Sequence, residues 1–155
     1  MQHATAHPGA PRLNLLLSYG GWREHAAVKQ IPRLLEPMGV HALEADTGEE
    51  AESLIRQEPV HIAVVDLDIP LHQDRRGGVA GPRILQLLRR LDPAPPTIVV
   101  RPRQASGREN SRGLAASLRE GAFAVVDRPL HLEVLLQTLR RALRRHYHDT
   151  WPSTQ

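Results

Sequence analysis

The chain has 155 residues, a length typical of a single domain, and its 41% hydrophobic and 24% charged residues exclude wholesale disorder. The absence of cysteine excludes disulfides, thiolate metal sites and cysteine nucleophiles, and only 3% of the residues are aromatic, too few for a stacking platform for single-stranded nucleic acid. The net charge of +3 is small, so charge alone does not indicate a nucleic-acid partner.

The two ends of the chain differ from its middle. Residues 1–12 are rich in small residues, His and Pro without periodicity, which predicts a flexible N-terminal tail, and 148–155 form a second predicted tail. The intervening segment, 13–147, is expected to form one domain. No apolar run approaches the roughly 20 residues that cross a bilayer, and the first residues lack the apolar region of a signal peptide. We therefore expect a cytoplasmic protein without a membrane partner.

The first half of the chain alternates short apolar runs with segments of helical periodicity. In chain order the pattern predicts a strand at Leu13–Leu17, a helix at Trp22–Met38, a strand at Val40–Ala45, a helix from Thr47 to about Gln57 and a strand at Val60–Asp66. Pro32 predicts a kink in the first helix, because proline lacks the N–H of an interior helical residue. Thr47 and Glu50 have the spacing of a capping box, which marks the start of the second helix.

The second half continues the alternation. It predicts a loop at Leu71–Ala80, a helix at Pro82–Leu91, a strand at Thr97–Val100, a polar loop at Arg101–Asn110, a short helix at Ser111–Glu120, a strand at Phe123–Val126 and a helix from Leu130 to about Tyr147. The paired glycines and charges of the first loop predict mobility. Five strand-helix alternations predict an α/β fold, a doubly wound five-stranded parallel sheet between two layers of helices.

In such a sheet, ligands bind at the carboxyl ends of the strands. The predicted strands deliver the following residues to that edge: Ser18 and Tyr19, Asp66 to Asp68, Arg101, and Asp127 to Pro129. No histidine falls at another strand terminus to act as a base for Ser18, so a hydrolase triad is rejected. We expect no enzymatic activity and assign no catalytic residue.

Two of these strand ends carry a family resemblance. The segment Asp66-Leu-Asp-Ile-Pro70, together with Gly121-Ala122 before a strand followed by Arg128-Pro129, resembles the receiver domain of bacterial response regulators. The resemblance covers nearly all of 13–147 and implies a CheY-like, flavodoxin-like α/β/α sandwich. It also implies that Asp66 would accept a phosphoryl group from a histidine kinase. Magnesium would be held by Asp66, by an acidic pair closing the first strand and by the backbone carbonyl of Asp68.

The chain departs from the pattern of that family at five positions. The acidic pair falls on Ser18 and Tyr19, the phosphoryl-gripping hydroxyl residue on Arg101, and the conserved-type lysine on Arg128. The aromatic switch residue of the fifth strand falls on Val125. These departures remove ligands that magnesium prefers, so we expect an atypical pseudo-receiver with no cofactor, and only Asp66 and Asp68 as metal ligands if a metal binds at all.

The charges at the predicted site nearly cancel. Asp66 and Asp68 are expected to face Arg101 and Arg128, with Pro129 beside them. An arginine presents a planar fork to a carboxylate, so Asp66 is predicted to be held in an ion pair that mimics the bonded site without phosphate. The whole constellation predicts a stand-alone receiver that acts as a two-component signalling and protein-interaction module with little or no magnesium-dependent phosphorylation.

Two other functions stay open. One is a phosphorylatable receiver that accepts phosphate at Asp66 from a histidine kinase, within a phosphorelay. The other is a nucleic-acid-binding module that uses the basic side of the last helix, namely Arg140, Arg141, Arg144 and Arg145. The favoured partner is a histidine kinase or another signalling protein, and nucleic acid is the least favoured. By family analogy, a homodimer through the last helix and the fifth strand is expected.

Overall fold

A computed structural model describes the chain at residues 13–20, 26–101, 112, 116, 118–119, 121–128 and 130–148. The N-terminal tail, the polar loop after Arg101, most of the short helix predicted at 111–120 and residues 149–155 lie outside the described residues. Within the described part, no helix has the length and apolarity needed to span a membrane.

The described strands form one parallel sheet. They are β1 (Leu13–Ser18), β2 (Val40–Ala45), β3 (Ile62–Asp66), β4 (Thr97–Arg101) and β5 (Ala124–Asp127), arranged in the order β2-β1-β3-β4-β5. The predicted fold class is confirmed. Every residue of β3 is buried and β3 is the central strand, as its continuous apolar run predicts.

Helices cover both faces of the sheet. They are α1 (Ala26–Lys29), α2 (Ile31–Leu35), α3 (Gly48–Gln57), α4 (Gly81–Arg89) and α5 (Leu132–Tyr147). Residues of α2 and α5 pack on one face, against odd-numbered residues of β1 such as Leu15 and Leu17. Residues of α3 and α4 pack on the other face, against Leu16 and Val65. Successive strand residues point to opposite faces, so each strand contributes to both core layers.

The single kinked helix predicted at Trp22–Met38 is a correction. The described part contains two short helices, α1 and α2, followed by a 3-10 turn at Glu36–Met38. Pro32 lies in the first turn of α2, where its missing N–H leaves no hydrogen bond unmade, so proline starts a new helix instead of kinking a long one. Gly39 ends the segment with a φ of +84°, a left-handed conformation that glycine adopts without strain.

The predicted start of α3 is confirmed. The Thr47 hydroxyl accepts a hydrogen bond from the Glu50 N–H at 3.2 Å. The Glu50 carboxylate reaches back to accept from the Asp46 N–H at 2.8 Å, one residue earlier than in a standard capping box. The Glu50 N–H is one of the groups that a helix start leaves without an intrahelical partner, and the bond from Asp46 fastens the residue before the cap to the helix.

The loop between β3 and α4 is tied together at its base. The Leu71 N–H donates to the Gly78 carbonyl at 3.0 Å, and the Ala80 N–H donates to the Ile69 carbonyl at 2.7 Å. The Gly48 N–H donates to the Pro70 carbonyl at 2.8 Å, which attaches the loop to the start of α3. These bonds anchor the two ends of the loop, while the mobility of its tip stays a prediction.

Candidate functional site

The site lies where the direction of the chain across the sheet reverses. From β1 the chain moves outward to β2, whereas β3 returns to the other side of β1 and continues to β4. The carboxyl ends of β1 and β3 therefore flank a crevice, the position where open α/β sheets bind ligands. Ser18 and Tyr19 reach this crevice from β1, and Asp66 reaches it from β3.

Asp66 is the last residue of β3 and is completely buried. Its Oδ2 accepts from the Arg128 guanidinium at 2.5 Å and from the Gly20 N–H at 3.1 Å, and its Oδ1 accepts from the Asp68 N–H at 3.0 Å. All three partners donate, which is the arrangement that an ionised carboxylate requires. A Cβ at position 20 would lie 2.9 Å from Pro70 Cδ, so only glycine lets the backbone come this close.

The charge of Asp66 depends on these donors. Burial raises the pKa of Asp66 above its ordinary value, because desolvation disfavours the charged form. The Asp68 N–H, the Arg128 charge and the Gly20 N–H all act in the opposite direction. These donors together favour the ionised form of the carboxylate against the effect of its burial.

Arg128 follows β5 directly and contacts two groups at once. While its edge donates to Asp66, its Cζ lies 4.4 Å from the centroid of the Tyr19 ring, a cation–π contact. Tyr19 is only 1% exposed, and burial raises the pKa of its hydroxyl. The three side chains form a stack of ring, guanidinium and carboxylate, which we call the Tyr19–Arg128–Asp66 stack. The sequence predicted Tyr19 as a residue lining the site but did not predict its contact with Arg128, although an aromatic residue at a strand end is a usable signal in a chain with so few.

The expectation that Arg101 faces Asp66 is corrected by the strand register. Arg101 and Asp127 are directly paired across β4 and β5, and the arginine donates from Nε and NH2 to Asp127 Oδ1 at 2.9 and 2.8 Å. The charge balance therefore consists of two separate pairs, one of Arg101 with Asp127 and one of Arg128 with Asp66.

The other predicted site residues contribute differently. Asp68 has an exposed side chain and supports Asp66 through its backbone N–H. Ser18 is fully buried, and its hydroxyl has no hydrogen-bond partner among the described residues. Pro129 lies outside the described residues.

The donor set does not fit a magnesium ion. No group of three or more His, Asp or Glu side chains comes together within the described part of the chain. Ser18 offers a neutral hydroxyl and Tyr19 an aromatic ring where a cation needs carboxylates, and the Arg128 guanidinium already occupies Asp66 Oδ2. A divalent cation would have to displace this guanidinium, and few charged oxygens are available to replace its interaction.

Comparison with solved structures finds receiver domain proteins of similar fold. A CheY-like response regulator receiver domain protein from Methanospirillum hungatei JF-1 superimposes with a TM-score of 0.66 and 24% identity over 88% of this chain and 98% of that chain. The non-phosphorylated HemR receiver domain from Leptospira biflexa gives 0.63 and 24% over 84% and 94%. A receiver domain protein from Clostridium thermocellum gives 0.63 and 18% over 88% and 98%.

The likeness to these proteins is one of fold. No family model matches the chain, and no curated protein sequence matches it. The superposition on the receiver domain from Methanospirillum hungatei nevertheless covers 88% of this chain, and the five strands have the order β2-β1-β3-β4-β5. This protein therefore has the CheY-like α/β fold of the response regulator receiver domains.

Proposed function

We propose that this protein is a pseudo-receiver, a signalling module of the two-component type that acts through protein contacts and not through phosphorylation of Asp66. In this proposal it has no catalytic activity and needs no metal. The observation that carries the proposal is the buried ion pair between Arg128 and Asp66, with 2.5 Å between nitrogen and oxygen, stacked on Tyr19.

The ion pair opposes phosphorylation for a chemical reason. Attack on phosphorus needs an accessible carboxylate oxygen and positive charge that neutralises the incoming phosphoryl group. Asp66 Oδ2 is already held by two donors, and the nearby positive charge of Arg128 is already neutralised. For Asp66 to react, Arg128 would have to leave it, and a buried carboxylate without its cation is strongly disfavoured.

The partner in this proposal is another signalling protein, such as a histidine kinase. The support is analogy with proteins of the same fold. The homodimer through α5 and β5 is part of the same proposal. It is supported by the position of β5 at one edge of the sheet, where it has a strand neighbour on one side only.

The test of the proposal is incubation of the purified protein with acetyl phosphate and magnesium, followed by intact-mass measurement. We expect no phosphoryl adduct on the wild-type protein. The matched variant restores the acidic pair and the lysine of the family pattern with Ser18→Asp, Tyr19→Asp and Arg128→Lys, and we expect it to gain a magnesium-dependent adduct that hydroxylamine removes. Circular dichroism checks that the variant is folded.

The alternative, a phosphorylatable receiver, makes the opposite prediction. Near-stoichiometric labelling of the wild-type protein that disappears in Asp66→Asn would overturn the pseudo-receiver proposal and establish Asp66 as a phosphoacceptor. The wild-type measurement decides between the two functions even if the restored variant fails to fold.

A further inference from the structure

A second feature lies at the opposite edge of the sheet from Asp66, where the strands begin. Helices that connect parallel strands run back across the sheet, so their carboxyl ends gather at this edge. For α5 this is seen directly, because the Tyr147 hydroxyl donates at 2.6 Å to the carbonyl of His61, the residue before β3. The helix ends bring several arginines to the same edge.

The arginines come from three parts of the chain. Arg89 ends α4 and Arg90 follows it, Arg145 lies in the last turn of α5, and Arg119 precedes the turn that leads into β5. All four are exposed. We call them the amino-edge arginine surface.

The turn before β5 brings these parts together. Arg89 Nε lies 3.7 Å from the position that a Cβ on Gly121 would occupy. On the other side, the rings of Phe123 and His146 meet with centroids 5.6 Å apart. Arg119 is two residues before Gly121 and Arg145 is adjacent to His146, so α4, α5 and the turn converge within a few residues.

The described ion pairs between arginines and carboxylates involve arginines outside this surface. Elsewhere, carboxylates lie within 3.4 Å of the arginines at positions 56, 76, 83, 101 and 128. The amino-edge arginine surface has no ion pair within the described part of the chain. The pKa of His146 is lowered by burial and, after that, by the charge of Arg145, which agrees with a local excess of positive charge.

The chemistry of the surface selects one class of partner. Clustered like charges repel each other, and an anionic partner relieves that repulsion. Protein interfaces rely on apolar and aromatic anchors, and membrane binding relies on inserted apolar side chains. Near this surface only Leu118 adds a large exposed apolar side chain among the described residues. A phosphate backbone, in contrast, is bound through charge alone.

We propose that the amino-edge arginine surface binds the phosphate backbone of double-stranded nucleic acid without reading its sequence. A duplex is favoured over a single strand because, within the described residues, no Phe, Tyr or Trp side chain is fully exposed there to stack on bases. The surface extends over three parts of the chain and lies away from Asp66. If this proposal fails, the proposed pseudo-receiver function is not affected.

Fluorescence anisotropy with a short labelled DNA duplex of mixed sequence tests this proposal. Affinity is measured between about 50 and 200 mM salt, and we expect a slope of log affinity against log salt of about −3, as for three to four phosphate contacts. The double variant Arg119→Gln/Arg145→Gln should make this slope shallower by about 2. Its matched control is Arg75→Gln/Arg76→Gln, which removes the same charge from exposed positions in the loop between β3 and α4, outside this surface.

Three outcomes overturn the proposal. The first is no binding at the lowest salt, and the second is an equal loss of affinity in the control variant, which would mean that net charge alone is responsible. The third is displacement of the duplex by polyglutamate or by phosphatidylserine vesicles at equal charge concentration, which would assign the surface to an acidic protein or to a membrane. Binding that resists both competitors and depends on Arg119 and Arg145 supports it.

Discussion

At the scale of single residues, Arg128 joins the site together, because it binds the carboxylate of Asp66 and contacts the ring of Tyr19. A guanidinium is planar, so its edge can donate to Asp66 while its flat face lies on the ring of Tyr19. The ammonium of lysine, a compact charge, would interact with a carboxylate but would offer no flat face to the ring. Arginine at position 128 and tyrosine at position 19 therefore depend on each other.

Replacing Arg128 by alanine is expected to lower the free energy of unfolding by about 1 to 3 kcal/mol near neutral pH, because it leaves a buried carboxylate without its cation. Urea denaturation measures this loss. Arg128→Lys is the control, since it keeps the charge and loses the stacking, and it should fall between wild type and alanine. An unchanged denaturation midpoint in Arg128→Ala would contradict the role of the pair.

The loss of stability in Arg128→Ala is predicted to depend on pH. Without Arg128, burial raises the pKa of Asp66 with less opposition, so the folded state prefers the protonated form more strongly than the unfolded state does. The destabilisation is then fully present above the folded pKa and disappears as the pH falls through it toward the ordinary value. Urea denaturation at mildly acidic pH should therefore show a smaller difference in the free energy of unfolding between Arg128→Ala and wild type.

At the scale of the elements, His61 joins the starts of two strands to the end of a helix. Its Nδ1 accepts from the Asn14 N–H of β1 at 2.9 Å, and its carbonyl accepts from the Tyr147 hydroxyl of α5 at 2.6 Å. A ring nitrogen that accepts a hydrogen bond carries no proton, so this histidine is neutral in the fold. Burial lowers the pKa of His61, in agreement with that geometry.

The lowered pKa of His61 predicts a loss of stability in acid. The unfolded chain binds the proton more readily than the folded one, so this contribution is complete above the ordinary histidine pKa and is lost as the pH falls below it toward the folded pKa. The matched variant is His61→Asn, whose side-chain oxygen can accept the same N–H but does not titrate. Urea midpoints at about pH 7.5 and pH 5.5 should fall less in His61→Asn than in wild type. Equal falls would contradict this prediction.

At the scale of the whole molecule, α4 begins in close contact with the segment that follows β3. A Cβ at Gly81 would lie 2.5 Å from Leu67 Cα and 2.6 Å from the Leu67 carbonyl oxygen. These are backbone atoms, so they cannot rotate away as a flexible side chain would. Gly81 therefore sets how closely α4 approaches the carboxyl end of β3, where Asp66 lies.

Gly81→Ala is expected to destabilise the fold by about 1 to 3 kcal/mol through overpacking, because either α4 or the segment after β3 must move. The comparison is Gly78→Ala, where a Cβ meets nothing within 4 Å and only the φ of +75° costs about 1 kcal/mol. Urea denaturation of both variants gives the two losses. A smaller loss in Gly81→Ala than in Gly78→Ala would show that the close approach is relieved easily.

The strands and the start of α3 were predicted from the sequence more accurately than the first helix. Continuous apolar runs located the strands to within one or two residues, and the Thr47 and Glu50 spacing located the start of α3. The continuous helix from Trp22 to Met38 was wrong, because Pro32 starts a helix when it lies in a first turn. Proline kinks a helix when it lies in the interior and starts a helix when it lies in the first turn. Which of the two occurs depends on how the segment packs.

The sequence by itself determined the five-stranded parallel sheet and the position of Asp66 at its carboxyl edge, because hydrophobic periodicity and turn residues are local properties of the chain. It also indicated Arg128 as the partner of Asp66. Only the tertiary structure decided that Arg101 pairs with Asp127 and that Tyr19 lies under the guanidinium of Arg128. Register and stacking depend on which distant residues are placed side by side, and one-dimensional periodicity carries no record of that placement.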